Sequence, residues 1–92
     1  MTGMSLDAKP KLLRGVRLTQ SEAQGGWVLL APEKIFKIDA IGAEILQRCD
    51  GEKSLAGIVA ELASAYNAPV EQVRTDVIAL LKTLKEKQLL DL

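Results

Sequence analysis

Cys49 is the single cysteine of a chain that contains no histidine. Without imidazole the chain lacks the usual general base and the commonest metal ligand. The lone thiol likewise lacks the partner that would make it a nucleophile. Its expected role is that of a small apolar side chain in a core. Glu33, Asp50 and Glu52 have no mutual spacing suited to a metal cage or an acid–base pair, and read as solvent-facing turn residues. Lys53-Ser54-Leu55 has the serine-before-leucine order that accepts a phosphopantetheine arm in carrier proteins. Lysine stands where that site needs aspartate and no acidic helix follows, so Ser54 reads as the N-cap of a helix. There is no CxxC, HExxH, glycine-rich phosphate loop or GxSxG. The inventory argues against an enzyme and calls for no catalytic residue, no metal and no cofactor.

The elements that remain are organised around Trp27 to Asp39. Ala31-Pro32-Glu33-Lys34 reads as a tight turn, because proline at its second position has φ preset for a chain reversal. The flanking residues, rich in β-branched and aromatic types, suit two short strands on a half-buried sheet. Lys34 and Lys37 interrupt the apolar run of the second strand, a pattern found on free sheet edges.

The rest of the chain sets limits on what this hairpin can serve. Ninety-two residues make one domain near the lower end of what can bury its own core. With 12 basic and 12 acidic residues the formal charge is zero, which argues against a dedicated nucleic-acid binder. No apolar run approaches the ~20 residues that cross a bilayer. Residues 1–10 are polar and small, carry no signal-peptide core, and are expected to form a flexible tail ahead of a single domain over residues 11–92. A lone cysteine fits a cytoplasmic protein.

In order, Leu12 to Thr19 alternates as a first strand and Gln20 to Gly26 forms a loop before the hairpin. Asp39 is placed to cap a helix in which Ile41, Ile45, Leu46 and Cys49 share a face, stopped by Asp50-Gly51. A second helix begins at Ser54 and carries Leu55, Ile58, Val59, Leu62, Ala63 and Tyr66 on one side. Asn67-Ala68-Pro69 separates it from a third, whose stripe of Val70, Val73, Val77, Ile78, Leu80, Leu81 and Leu84 is wider than one buried face needs. The C-terminal leucines should fold back onto the core or sheet. The expected fold class is therefore α+β: a three-stranded antiparallel sheet followed by a three-helix bundle, winged helix-turn-helix-like.

That architecture has two uses. As a DNA reader, the third helix would present Glu71, Gln72, Arg74, Thr75 and Asp76, whose two carboxylates repel phosphate. As a peptide binder, the hairpin edge beside an apolar helix would accept an extended segment as an added strand. The plain structural reading keeps Val77, Ile78 and Leu81 in the core and covers the edge with the chain's own C-terminus.

Arg14-Gly15-Val16-Arg17-Leu18, Leu29-Leu30-Ala31-Pro32-Glu33, Cys49-Asp50-Gly51, Asp76-Val77 and Leu80-Leu81 together resemble the PqqD family, over about residues 12 to 92. Asp39 departs from the asparagine more frequent in that family, and both cap helices. The resemblance implies a peptide chaperone of pyrroloquinoline quinone biosynthesis, a recognition element for a ribosomally made precursor. Such proteins bind the peptide PqqA along the third strand of the sheet. They present it to PqqE, the radical S-adenosylmethionine enzyme that joins a glutamate and a tyrosine of the peptide. Carried onto this chain, the binding strand is Lys34, Ile35, Phe36 and Lys37, and the helix wall is Arg74, Val77, Ile78 and Leu81. About five backbone hydrogen bonds at ~1 kcal/mol each, with two or three aliphatic anchors at ~1.5–3 kcal/mol each, offset a peptide-ordering cost of at least ~2–5 kcal/mol. The balance is broadly micromolar affinity or somewhat tighter, suited to a carrier that must also release its cargo.

Overall fold

The computed structural model describes residues 5–23 and 25–91. Among these residues five strands and three helices follow in the order β1 (Lys11–Leu12), β2 (Arg17–Ser21), β3 (Gly26–Ala31), β4 (Lys34–Ile38), α1 (Ala40–Gln47), α2 (Leu55–Tyr66), α3 (Val70–Glu86) and β5 (Leu90–Asp91). The main sheet is antiparallel with order β2-β3-β4, and β1 pairs separately with β5. The three-stranded sheet and three helices agree with the expected fold class.

The first strand is shorter than its alternation suggested. Gly15 takes a φ of +87° and Val16 N–H donates to Leu13 C=O at 3.0 Å, so a turn divides Leu12–Thr19 into β1 and β2. Conversely, β2 and β3 extend into the expected loop, as far as Ser21 and from Gly26. The hairpin turn is as read. Pro32 fixes its own φ, and Glu33 takes a φ of +95°, the left-handed third position that a type II turn requires.

Both predicted caps form. Gly42 N–H donates to Asp39 Oδ1 at 2.6 Å, and Gly57 N–H to Ser54 Oγ at 3.1 Å. α1 nevertheless ends at Gln47, before Asp50-Gly51; Gly51 shapes the following turn at φ +84°, a conformation that favours glycine. Asp50 Oδ1 accepts from Glu52 and Lys53 N–H at 2.8 and 3.1 Å, which lowers the pKa of its fully exposed carboxyl.

Residues 1–4 of the expected tail lie outside the described residues. Residues 5–10 do not hang free. Leu55 N–H donates to Ala8 C=O at 2.7 Å, Ala56 N–H to Leu6 C=O at 3.0 Å, and Gly51 N–H to Pro10 C=O at 3.0 Å, while Pro10 is fully buried. With Ser54, this segment satisfies the first N–H groups of α2, which otherwise have no intrahelical partner. A polar sequence docks because a helix start needs acceptors, a demand that hydropathy does not register.

One face of the sheet and the three helices enclose a core in which Leu29, Leu55, Ile58 and Leu81 are fully buried. Burying each such side chain contributes ~1.5–3 kcal/mol. Cys49 joins this core, its thiol donating to Ile45 C=O at 3.3 Å. Three residues assigned to inner faces by periodicity are instead about half exposed: Ile41, Tyr66 and Val70. Each stands near a helix end, where the neighbouring element has already turned away. Leu89 and Leu90 are buried, and β5 pairs with β1 rather than with β4.

Candidate functional site: the β4 edge and the clefts beside it

Strand β4 is the last strand of its sheet, with none of the described residues paired beyond it. The two-residue turn closes on the pair Ala31↔Lys34, followed by Leu30↔Ile35, Leu29↔Phe36, Val28↔Lys37 and Trp27↔Ile38. Antiparallel pairs alternate between exchanging hydrogen bonds and exchanging none. The closing pair of the turn exchanges them, so Phe36 and Ile38 are also bonded to β3. Ile35 and Lys37 direct their N–H and C=O groups away from the sheet. The free edge thus offers two donors and two acceptors at an alternating spacing.

Side chains alternate the other way, between the two faces. Phe36 and Ile38 share the inner face with Leu29 and pack on the core. Ile35, 55% exposed, and Lys37 point to the outer face. Lys34 is exposed beside the turn.

α3 borders this edge with one flank only. Lys87, its C-cap, stands over the Phe36 ring at 5.7 Å from the centroid. A Cβ placed at Gly42 would lie 2.9 Å from Ile38 Cγ2 and 3.7 Å from Leu80 Cδ2, so the missing side chain lets the start of α1 nest between β4 and α3. Leu80 and Lys87 are seven residues apart and lie on one side of the helix. Asp76 belongs to this flank too, lining a cleft with Asp39, Ile41 and Leu80.

The residues expected as the helix wall are placed differently. Val77 and Leu81 are 1% and 0% exposed and belong to the core. Arg74 lies on the opposite flank, lining a shallow cleft with Leu6, Val59 and Val70. Ile78, one turn on from Arg74, follows the same side and is half-buried. The structure therefore brings Lys34, Ile35, Phe36 and Lys37 together but does not bring Arg74 or Ile78 to them. Leu80, Lys87 and Asp76 take their place. A helical projection centred on Val77, Leu81 and Leu84 separates the two flanks, but only the packing tells which one faces β4.

The chemistry of the remaining polar groups is structural. Arg48 Nη1 meets Glu44 Oε1 at 2.9 Å, its Nε meets Glu61 Oε1 at 3.1 Å, and Lys53 reaches Glu61 at 3.8 Å. The hydrogen bond that Arg48 donates to Glu44, reinforced by the one to Glu61, raises the Arg48 pKa. Burial and the nearby Asp50 charge push the Cys49 thiol up to about 12, so it is no nucleophile at neutral pH. Among the described residues no three His, Cys, Asp or Glu side chains are grouped to hold a metal ion, and no helix is long and apolar enough to cross a membrane.

Comparison with known proteins agrees with this architecture. A PqqA binding protein of Xanthomonas axonopodis pv. citri is 47% identical over the full length of both chains, and one of Xanthomonas euvesicatoria pv. vesicatoria is 45% identical over the same extent. The solution structure of the PqqD truncation of Methylobacterium extorquens PqqCD, described as a functional stand-alone recognition element for ribosomally synthesized and modified peptides, superposes with a TM-score of 0.84 at 32% identity. That match covers 99% of this chain and 96% of the other. The crystal structure of PqqD from Xanthomonas campestris matches with a TM-score of 0.63 at 45% identity, covering 97% and 99% of the two chains. The sequence profile described as coenzyme PQQ synthesis protein D matches residues 26–90. The chain belongs to the PqqD family.

Proposed function

We propose that this chain is a cytoplasmic, non-catalytic carrier that binds the precursor peptide PqqA by adding it as a strand to β4, and presents it to the radical enzyme PqqE. The observation that carries the reading is the β4 edge, unpaired among the described residues, where Ile35 and Lys37 direct their backbone groups outward. The chain's own C-terminal strand is engaged with β1 and leaves that edge accessible. The relatives named PqqA binding proteins supply the identity of the peptide. Strand addition gives affinity through the backbone, and alternate side chains give selectivity. On the inner side those side chains meet the flank of α3 at Leu80 and Lys87, next to Phe36 and Ile38. Lys34 and Lys37 attract acidic residues of the peptide and raise the association rate, an effect that salt weakens.

The duplex-reading alternative finds less support. The first turns of α3 expose Glu71, Gln72, Thr75 and Asp76, with Arg74 turned toward α2. The test is a titration of ¹⁵N-labelled protein with the full PqqA peptide. Saturable amide shifts centred on Ile35 and Lys37 support the reading. Shifts confined to the other sheet edge, Arg17–Ser21, or no shifts at all, overturn it.

A further inference from the structure

We propose that the peptide groove continues past the end of β4 into an apolar trough between α1 and α3, and that the trough takes an apolar side chain and a lysine or arginine from the continuation of the same peptide. This inference rests on strand addition at β4, and four observations support it.

The first is continuity. β4 ends at Ile38, the chain turns at Asp39, and a cleft opens immediately beside it between Ile41 and Leu80. This cleft shares Ile41, Ile45 and Asp76 with a second that extends to Tyr66 and Pro69 at the α2–α3 turn. The two, about 330 and 350 Å³, form one path leading away from the strand edge. A peptide leaving β4 in the strand direction is delivered into it.

The second is the apolar rim. Ile41 and Tyr66 are 49% and 48% exposed although helical periodicity assigns both to buried faces, and they stand on the walls of the same cleft. Val77 and Ile45, both buried, reach its floor. The trough is thus lined as small apolar side-chain sites are.

The third is charge. Asp76 lies on both clefts, and among the described residues its carboxylate has no ion-pair or hydrogen-bond partner; the ion pairs centre on Arg48 and Glu61 instead. Asp39 adds a second carboxylate, with one oxygen already accepting from Gly42. A cation on the occupant complements this pair, since charge-assisted bonds to carboxylates are the strong ones.

The fourth is polarity along the edge. The turn end of β4 carries Lys34, whereas the helix end opens on Asp39 and Asp76, with Lys37 on the outer face one residue before Ile38. Opposite charges at the two ends give the bound peptide one preferred direction, with its basic segment at the α1 end and acidic residues at the turn end.

The experiment is the same titration of the ¹⁵N-labelled full chain with PqqA peptide, carried out on wild type, Asp76→Lys and Ile41→Ser. Asp76 and Ile41 are exposed, and circular dichroism checks that each variant is folded. Wild type should show shifts at Ile41, Tyr66 and Gln72 together with those at Ile35 and Lys37. Each substitution should raise Kd about fivefold or more, with the β4 shifts retained at saturation. Shifts restricted to β4 and the C-terminal half of α3, with both variants binding as wild type, overturn the trough and leave strand addition standing. An absence of shifts on β4 overturns both.

Discussion

Lys87 holds its ammonium 5.7 Å from the centre of the Phe36 ring, joining the end of α3 to the middle of the edge strand. A cation over an aromatic face at an exposed position contributes ~0.5–1 kcal/mol. Lys87→Ala should lower stability by about that amount in a urea titration, and Lys87→Arg should preserve it. Equal midpoints for wild type and alanine variant would show that the contact does no work in solution.

The ladder pattern separates two neighbouring residues of β4. Ile35 directs its N–H outward, so Ile35→Pro should fold yet bind the precursor much more weakly, since proline has no donor and suits only edge positions. Phe36 is bonded to Leu29, so Phe36→Pro should break the β3–β4 ladder and cost stability directly. Thermal melts and peptide titrations on the same two variants check both outcomes. The reverse outcome, Ile35→Pro destabilised and Phe36→Pro folded but weakly binding, would mean that the ladder has the other phase.

Burial distinguishes residues on α3 that composition treats alike. Leu81→Ala should cost about 2–5 kcal/mol, as truncation of a fully buried leucine does. Arg74→Ala should leave precursor affinity unchanged, because that side chain faces Leu6 and Val59 rather than β4. Chemical denaturation measures the first effect and calorimetric titration the second.

Cys49 should resist alkylation in the folded protein. Its thiol is pushed up to about 12, chiefly by burial, so it remains protonated through neutral and mildly alkaline pH. In the unfolded chain an ordinary thiol ionises near ~8.5. A folded-state pKa above the unfolded one means that stability is fully present below that value and declines as pH rises toward the folded one. Mass spectrometry after brief iodoacetamide treatment at pH 8 should find native protein unmodified and urea-unfolded protein labelled.

Asp50 shows the opposite sign. Its carboxyl is shifted down by the N–H groups of Glu52 and Lys53, so the ionised form favours the folded turn. That contribution is present above the ordinary carboxylate pKa and is lost as pH falls through the lowered one. Melting temperature should therefore drop less on acidification in Asp50→Asn than in wild type. An identical acid dependence would place the sensitivity elsewhere.

How much of this was legible in the residues varied with the range of the interactions involved. The Asp39 and Ser54 caps and the Pro32 turn are decided by side chains acting on backbone within three residues, so sequence alone locates them. The amphipathic core of α2, from Leu55 to Ala63, follows from helical period in the same way. The β4 strand and its lysines were readable for the same reason, because alternation and turn chemistry are local.

What needed the tertiary structure was every choice between two surfaces of one element. Periodicity places Val77 and Leu81 at the centre of the α3 stripe but cannot say whether Arg74 and Ile78 or Leu80 and Lys87 border the sheet. That is settled by how α1 nests at Gly42 and where β4 crosses, both long-range matters of packing. The docking of residues 5–10 also lay beyond the sequence, because the acceptors they offer have meaning only once α2 presents its unpaired N–H groups. Ile41 and Tyr66 carry the same lesson: a helical period assigns a face, and only the neighbouring elements determine whether anything covers it.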